Sequence, residues 1–306
     1  MSVVFDRAPA LPGFLARAMP FSRRVAQVDG TLIHFVDEGD GPLVLLVHGN
    51  PTWSYLWRKV VPRLEGMRVV APDLFGFGLS DKPRSPSAHT LRAHVRSIAG
   101  LVAALEPRDL IVVGQDWGGP VAAGVAQALA DRVRGVVFAN TAVLRPARPF
   151  RSKPFHKLSH LPLISDLLFR GLMFPVPVLR TAQGDKRSIG LRETAAYAWP
   201  LRRLRDRAGP VGLARMVPDG ESHPTTAVMD AIGGWVEQWR GPAALVWGKR
   251  DPILGRALAR HREALPQASV RECDAGHFLQ EEVPDLLAEA IHEVVSTIKA
   301  AGSPAG

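Results

Sequence analysis

The chain has 306 residues, of which 46% are hydrophobic and 22% charged, enough for one large domain or for a core domain with an insertion. Its single cysteine excludes a disulfide framework and any site built from several cysteines. The 10 histidines show no HExxH spacing, and no apolar run reaches the ~18 residues that a membrane helix needs. We therefore expect a soluble, cytoplasmic protein without a metal or cofactor.

The net charge of +9 has its origin in one segment of the chain. Residues 144–217 contain 15 of the 38 Lys and Arg residues but only 4 of the 29 Asp and Glu residues. A basic segment of this kind can attract anionic surfaces. It lacks the interleaved aromatic residues that stack on bases, and no nucleic-acid-binding motif accompanies it. We therefore expect no nucleic-acid partner.

Short apolar runs alternate with amphipathic stretches, which is typical of a mostly parallel sheet with helices on both faces. The first two strands, Val25–Gln27 and Leu32–Val36, are predicted to form a hairpin because Asp29-Gly30 is a strong turn signal. Further strands are predicted at Leu43–Val47, Arg68–Ala71, Leu110–Val113, Gly135–Ala139, Ala243–Trp247 and Ser269–Glu272. The helices between them are predicted at Ser54–Leu64, Leu91–Leu105, Gly118–Ala130, Thr226–Trp239 and Pro284–Ile298.

The alternation of strands and helices breaks after Asn140 and resumes near Thr226. The segment between contains no comparable strand, only Pro-punctuated, Arg-rich helical pieces such as Leu161–Met173 and Ser188–Trp199. We therefore predict a core domain of residues 1–143 and 218–306, with an inserted helical cap domain of residues 144–217 over the site. Six cap side chains are candidates for lining a pocket: Phe155, Leu163, Leu167, Phe174, Trp199 and Leu201.

The sequence GQDWGG at residues 114–119 follows an apolar strand and precedes a helix of small residues. This is the strand–turn–helix context of a nucleophile elbow, with Asp116 where a serine is more usual. A carboxylate is already nucleophilic at neutral pH and needs no base to remove a proton. Asp116 alone could be a helix N-cap. The flanking glycines, which a sharp turn requires, favour the nucleophile.

His277 follows the last predicted strand in the sequence DAGHF, after the candidate nucleophile in chain order, as expected for a catalytic histidine of this kind of sheet. As a general base it would activate water to hydrolyse an ester on Asp116. Asp251, at the end of the preceding strand, is the predicted carboxylate that orients the imidazole. Its alternative role is that of a turn residue before proline. The other place for such an acid is occupied by Asn140, which favours Asp251.

The loop HGNPTWS at residues 48–54 follows another core strand. An HG-x-P loop presents the backbone N–H of its third residue, Asn50, which together with the backbone N–H of Trp117 predicts an oxyanion hole. The Asn50 amide and the Trp117 indole add two neutral N–H donors beside a carboxylate. Such donors suit a departing halide ion, although Asn50 could instead only hold its loop.

The motifs HGNPTWSYLWR, APDLFGFGLSDKP, GQDWGG and DAGHFLQEE together resemble those of the haloalkane dehalogenases of the α/β-hydrolase superfamily. The resemblance runs from about Val25 to Ile298 and implies an α/β-hydrolase fold with an inserted cap. It implies a hydrolase acting on carbon–halogen bonds, which converts haloalkanes to a primary alcohol, a halide ion and a proton through an alkyl-aspartate intermediate, without a cofactor.

The same resemblance assigns roles to five positions. Asp116, His277 and Asp251 match the catalytic triad of the family, and Asn50 and Trp117 match its two halide donors. The combination of Asp251 with Asn50 is similar to the third subfamily of these enzymes, which implies a tendency to self-associate.

An epoxide hydrolase is the main alternative, because it shares the fold, the HG-x-P loop and the Asp-Trp-Gly elbow. Epoxide hydrolases usually use two cap tyrosines to donate protons to the opening epoxide. This chain has only two tyrosines, and Tyr55 falls in the core, so Tyr197 alone is left for the cap. A non-catalytic binding protein on the same fold is a second alternative, which loss of activity on mutation of Asp116 would exclude.

Overall fold

The computed structural model describes residues 3–146 and 158–302, which contain one sheet of nine strands. The strands are β1 (Val4–Arg7), β2 (Arg23–Val28), β3 (Thr31–Glu38), β4 (Leu43–Val47), β5 (Arg68–Pro72), β6 (Leu110–Asp116), β7 (Val133–Thr141), β8 (Ala243–Gly248) and β9 (Ser269–Cys273). Their order in the sheet is β1-β2-β3-β5-β4-β6-β7-β8-β9. The pairs β1–β2, β2–β3 and β3–β5 are antiparallel, and the other five pairs are parallel.

Helices lie on both sides of this sheet, since every residue of the central strand β4 is buried. The α-helices are α1 (Gly13–Ala18), α2 (Leu91–Ala104), α3 (Gly118–Ala128), α4 (Pro162–Ser165), α5 (Leu191–Ala198), α6 (Ala208–Arg215), α7 (Pro224–Gln238), α8 (Leu258–Ala264), α9 (Leu279–Glu282) and α10 (Pro284–Gly302). Helices α2, α3 and α7 pack against one another, and α10 packs on β7 and β8. None of the described helices has the length and hydropathy to cross a bilayer.

The six predicted strands after the hairpin are present, and Leu43–Val47 has the predicted bounds. The hairpin is confirmed as well, because Asp29 and Gly30 both adopt left-handed φ angles, 48° and 76°, as a two-residue hairpin turn requires. The predicted helix Ser54–Leu64 is wrong in type. It consists of two 3-10 helices, Ser54–Lys59 and Val61–Arg63, and Pro62 in the second lacks the N–H that a continuous α-helix needs.

Between β7 and α7, the described residues 158–217 contain helical elements and no strand, in agreement with the predicted break in the alternation. Helix α4 continues as a π-helix over Asp166–Gly171. Three 3-10 segments follow, at Val176–Ala182, Trp199–Leu201 and Leu204–Asp206. The predicted domain bounds, with residues 144–217 as the cap, stay a prediction.

A buried carboxylate joins this helical segment to the rest of the chain. Glu281 in α9 accepts two hydrogen bonds from the Arg58 guanidinium, at 2.6 and 2.8 Å, and lies 3.0 Å from the Lys59 ammonium. The hydroxyl of Tyr197 in α5 donates to the same carboxylate at 2.6 Å. Burial alone would raise the pKa of Glu281, but the hydrogen bonds and the charge of Arg58 lower it. One side chain thus fixes α5 and α9 to the segment Ser54–Lys59.

The contacts of Glu281 predict that two substitutions lower the free energy of unfolding by different amounts. In Glu281→Gln the buried Arg58 loses its charged partner, so we expect the free energy of unfolding to fall by about 3 kcal/mol or more. Tyr197→Phe removes one hydrogen bond and keeps the ion pair, so a fall of about 1 kcal/mol is expected. Urea denaturation of the two variants measures both values. Equal losses would show that the ion pair contributes no more than the tyrosine hydroxyl.

Candidate active site

The predicted nucleophile Asp116 is the last residue of β6, two positions before α3 begins. Its φ angle is 53°, in the left-handed region that residues with a side chain seldom adopt. The Thr141 hydroxyl donates to the Asp116 carbonyl oxygen at 2.6 Å and holds this conformation. A Cβ at Gly49 would overlap with the Asp116 side chain, so glycine is needed there. The sharp turn leaves the carboxylate 14% exposed at the end of the strand.

The two oxygens of this carboxylate have different surroundings. Oδ1 accepts a hydrogen bond from the backbone N–H of Asn50 at 2.7 Å. Oδ2 lies 3.5 Å from Nε2 of His277. Oδ1 is therefore bound to a neutral donor, and Oδ2 is the oxygen that faces the imidazole.

His277 and Asp251 form a buried pair behind the carboxylate. Nδ1 of His277 lies 2.9 Å from Oδ2 of Asp251, whose Oδ1 accepts the backbone N–H groups of Ile253 and Leu254. Burial would raise the pKa of Asp251, but His277 and these N–H groups lower it. Burial would lower the pKa of His277, but the charges and hydrogen bonds of Asp251 and Asp116 raise it to about 10. The three predicted triad residues thus lie in one line of contacts.

The two predicted halide donors are next to Asp116, Asn50 through its backbone N–H and Trp117 as the following residue of the chain. Trp117 has helical backbone angles and directly precedes α3, so its N–H is at a helix amino end, where such groups lack a partner within the helix. The Asn50 amide nitrogen donates to the carbonyl oxygen of Pro210 in α6 at 3.1 Å. That leaves its second N–H for another acceptor. Within the described ranges, the Asn50 Oδ1 atom is buried and has no hydrogen-bond partner.

Asn140 has a structural role that the sequence analysis did not assign. Its amide nitrogen donates to the carbonyl oxygens of Gly276 and His277, at 2.7 and 3.0 Å. Its Oδ1 accepts the N–H of Gly248 at 2.9 Å. The residue that occupies the alternative acid position thus ties the histidine loop to the ends of β7 and β8. A polar residue directly after an apolar strand core was the available signal.

Gln115 was also missed by the sequence analysis. Its amide nitrogen lies 3.1 Å from the carbonyl oxygen of His277 and 3.2 Å from Nε2 of the same residue. Because a carbonyl oxygen can only accept, the amide nitrogen rather than the oxygen faces His277. Donation to Nε2 requires a lone pair there and a proton on Nδ1, so Gln115 favours the neutral imidazole. The charges of Asp116 and Asp251 favour the protonated imidazole instead.

The histidine loop is hydrogen-bonded to the helical residues 158–217 between β7 and α7, which we call the inserted segment. The N–H of His277 donates to the carbonyl oxygen of Ala182 at 2.8 Å, and the N–H of Phe278 donates to the Gln183 side chain at 2.9 Å. The carboxylate of Glu282 accepts the N–H groups of Gly276 and Gly184, at 2.9 and 3.0 Å. Both loops of the site are thus in contact with the inserted segment, Asn50 through Pro210 and His277 through Ala182.

The chain is similar to known proteins of one fold and one family. A family model described as the alpha/beta hydrolase fold matches residues 42–284. The chain is 33% identical over 284 residues to a haloalkane dehalogenase of Mycobacterium marinum, covering 89% of this chain and 93% of the relative. The chain belongs to the haloalkane dehalogenases of the α/β-hydrolase superfamily.

Two solved structures of this family superpose on most of the chain. A loop variant of the dehalogenase DbeA from Bradyrhizobium elkanii is 25% identical, with a TM-score of 0.82 over 92% of this chain and 99% of that chain. The dehalogenase DpaA from Paraglaciecola agarilytica, described as tetrameric, is 25% identical, with a TM-score of 0.76 over 96% of this chain and 98% of that chain. The predicted fold, a mostly parallel sheet with helices in the α/β-hydrolase arrangement, is confirmed.

Epoxide hydrolysis, the alternative function considered from the sequence, is not favoured. It depended on Tyr197, whose hydroxyl is buried and donates to Glu281. The pKa of Tyr197 is raised well above its ordinary value, first by burial and then by the Glu281 charge, which opposes proton donation.

Within the described part of the chain, no group of three or more His, Cys, Asp or Glu side chains could hold a metal ion.

Two of the six predicted pocket-lining residues are wrong. The side chains of Leu163 and Leu167 are 87% and 64% exposed to solvent. Phe174 packs against Phe169 in a small separate cluster, and Leu201 is buried in the main core. Trp199 is half-buried, with the Arg202 guanidinium over its ring. Phe155 lies outside the described residues.

The raised pKa of His277 can be measured in the free protein. We expect NMR titration of the imidazole to give a midpoint near pH 10, and Asp251→Asn to shift that midpoint down. Because the folded-state pKa lies above the ordinary value of ~6.5, the charged imidazole stabilises the fold, and this contribution is fully present below about pH 6.5. This contribution is lost as the pH rises through about 10.

The control is Asp274→Asn, which removes an exposed carboxylate three residues from His277. It should leave the midpoint close to that of the unaltered protein. A midpoint near 6.5 in the unaltered protein, or equal shifts in the two variants, would contradict the assignment of the buried pair.

Proposed function

We propose that this haloalkane dehalogenase converts haloalkanes to a primary alcohol, a halide ion and a proton by two displacements on Asp116. The observation that carries this proposal is the asymmetric carboxylate, with Oδ1 bound by the Asn50 N–H and Oδ2 facing His277. One oxygen is thereby left to attack while the other is already in contact with a donor. No metal or cofactor takes part in either step of the proposal.

In the first step, Oδ2 of Asp116 attacks the halogen-bearing carbon in line with the carbon–halogen bond. The new bond is a carbon–oxygen bond, and the halide leaves with the electron pair of the old one. The free N–H of the Asn50 amide and the indole N–H of Trp117 donate to the departing halide. Neutral donors stabilise the halide without neutralising the attacking carboxylate.

In the second step, His277 acts as the base. Formation of the ester removes the negative charge of Asp116, and with it one of the causes that raise the pKa of His277. The Gln115 amide, 3.2 Å from Nε2 in the free protein, favours the neutral form. The imidazole can then take a proton from water, which attacks the ester carbonyl carbon.

The negative charge of the resulting intermediate forms on Oδ1. That atom already accepts the Asn50 N–H at 2.7 Å in the free protein, and the Trp117 N–H completes the proposed oxyanion hole. Collapse of the intermediate breaks the bond between Cγ of Asp116 and the alkyl oxygen, which leaves as the alcohol with the remaining proton of the attacking water. The carboxylate is restored, and the His277 imidazolium releases its proton to solvent. Asp251 orients the imidazole and stabilises its charged form throughout.

Residues 144–217 form the cap in this proposal, supported by the contacts of Pro210 and Ala182 with the two site loops. Assignment to the third subfamily, self-association and a cytoplasmic location belong to the same proposal. Self-association is supported by the relative DpaA, which is described as tetrameric.

Three variants, assayed with 1-bromobutane, separate the proposed roles. Asp116→Ala should abolish bromide release. His277→Gln should release one bromide per active site and retain a butyl group on Asp116, which mass spectrometry of the peptide detects. Asn50→Ala keeps the backbone N–H and loses the side-chain donor, so turnover should fall about 100-fold.

Styrene oxide, run in parallel, tests the alternative chemistry. Diol formation without bromide release would identify an epoxide hydrolase and contradict the halide role of Asn50. Bromide release that persists in Asp116→Ala would remove the nucleophile from the proposal altogether.

A further inference from the structure

Large hydrophobic side chains that face solvent are concentrated in one part of the described chain. Of the 11 such residues, 9 lie between positions 158 and 204. Val4 and Ile253 are the two outside that range. Monomeric proteins scatter such residues singly, so a concentration of them indicates a contact surface.

Five of these side chains form what we call the apolar ridge: Leu161, Leu163, Ile164, Leu167 and Leu172. They belong to α4, its π-helical continuation and the residues that flank them. Leu163 and Leu167, 87% and 64% exposed, are four positions apart and share a face. The backbone N–H of Leu172 donates to the carbonyl oxygen of Leu167, which keeps the end of the ridge next to its centre.

A basic turn lies beside the ridge. The 3-10 segment Leu204–Asp206 packs against the π-helix Asp166–Gly171. The buried guanidinium of Arg207 joins the two elements, because it donates to the carbonyl oxygen of Gly171 at the end of the π-helix and to that of Arg202 before the turn. The turn presents Leu204, which is 62% exposed, between the exposed side chains of Arg203 and Arg205.

The charge of this region determines which partner fits. The described residues 158–217 contain 10 Lys and Arg but 4 Asp and Glu. On the ridge itself Asp166 is balanced by Arg170 at 3.0 Å, whereas the turn beside it has three exposed arginines, Arg202, Arg203 and Arg205, and one aspartate, Asp206, 3.8 Å from Arg205. This face is therefore positive, and a second copy presenting it would bring like charges together, which opposes a symmetric contact. An anionic lipid surface complements both features, because headgroup phosphates pair with arginines and the acyl boundary accepts leucines.

We propose that the apolar ridge, together with Arg203, Leu204 and Arg205, is a reversible docking surface for bilayers that contain anionic lipids. The leucines enter the headgroup–acyl boundary, and the arginines pair with headgroup phosphates. The surface belongs to the inserted segment that contacts both loops of the site, so docking brings the segment next to a phase in which apolar haloalkanes dissolve. The proposal does not depend on the reaction, and it stands or fails separately from the proposed function.

Co-sedimentation of the full chain with vesicles tests the proposal. Vesicles of phosphatidylcholine with one-third phosphatidylglycerol should bind the protein at low salt, and pure phosphatidylcholine vesicles should bind it at least about tenfold more weakly. Raising the salt concentration should release the protein, because screening shortens the range of the charge interaction.

Two double variants test the two components of the surface. Leu163→Asn with Leu167→Asn removes the centre of the ridge, and Arg203→Gln with Arg205→Gln removes the flanking charge. Each should weaken vesicle binding about tenfold or more. Matched controls are Val4→Asn, an exposed apolar residue of the edge strand β1, and Arg240→Gln, an exposed arginine after α7, and both should bind as the unaltered protein does. Circular dichroism and bromide release confirm that each variant is folded.

Three results would overturn the proposal. The first is no binding to anionic vesicles at low salt. The second is equal binding by the ridge variants and their controls. The third is a concentration-dependent oligomer, measured by sedimentation velocity, that dissociates in the ridge variant while vesicle binding persists. That result would assign the ridge to contacts between copies.

Discussion

The left-handed backbone of Asp116 is the constraint on which the arrangement of the site depends. A residue with a side chain adopts this conformation at a cost of about 1–3 kcal/mol, which the surrounding structure must offset. Here the Thr141 hydroxyl binds the carbonyl oxygen of Asp116, and Gly49 leaves room for its side chain. The turn that results sets one carboxylate oxygen against the Asn50 N–H and the other near His277. Without the strained turn the two oxygens would not be distinguished.

The inserted segment is part of this arrangement rather than a separate lid. The carbonyl oxygen of Pro210 accepts the Asn50 amide, and that of Ala182 accepts the N–H of His277. The buried carboxylate of Glu281 adds a third connection, to helix α5. Displacement of this segment would therefore disturb Asn50 and His277 together.

Charge balance links the two proposed steps of the reaction. Asp116 and Asp251 flank one buried imidazole, and together they favour its protonated form while both carboxylates are charged. Gln115 favours the neutral form through its contact with Nε2. Conversion of Asp116 to an ester removes one charge from this balance and leaves the amide in place. The imidazole is thus expected to become a base only after the first displacement has occurred.

The sequence was sufficient to predict the fold and the meeting of three polar residues at one edge of the sheet, because residues directly after apolar parallel strands lie at the same edge. Asp116, Asp251 and His277 are all of this kind. Gln115 and Asn140 could not be assigned, since their roles depend on which atoms the sheet register brings within hydrogen-bond distance. Leu163 and Leu167 were misplaced because an apolar helix face does not reveal whether it meets the pocket or solvent. The short edge strand β1 has mostly exposed residues and therefore shows no alternating pattern.

A single turnover in water enriched in ¹⁸O tests the central claim, a covalent ester on Asp116, most directly. Enzyme in excess over 1-bromobutane is allowed to react once, and both the butanol and the peptide that carries Asp116 are analysed by mass spectrometry. If water attacks the ester carbonyl, the label enters the Asp116 carboxylate and the butanol of that turnover is unlabelled. Labelled butanol with an unlabelled Asp116 would show that water attacks the substrate carbon directly, and would contradict the account.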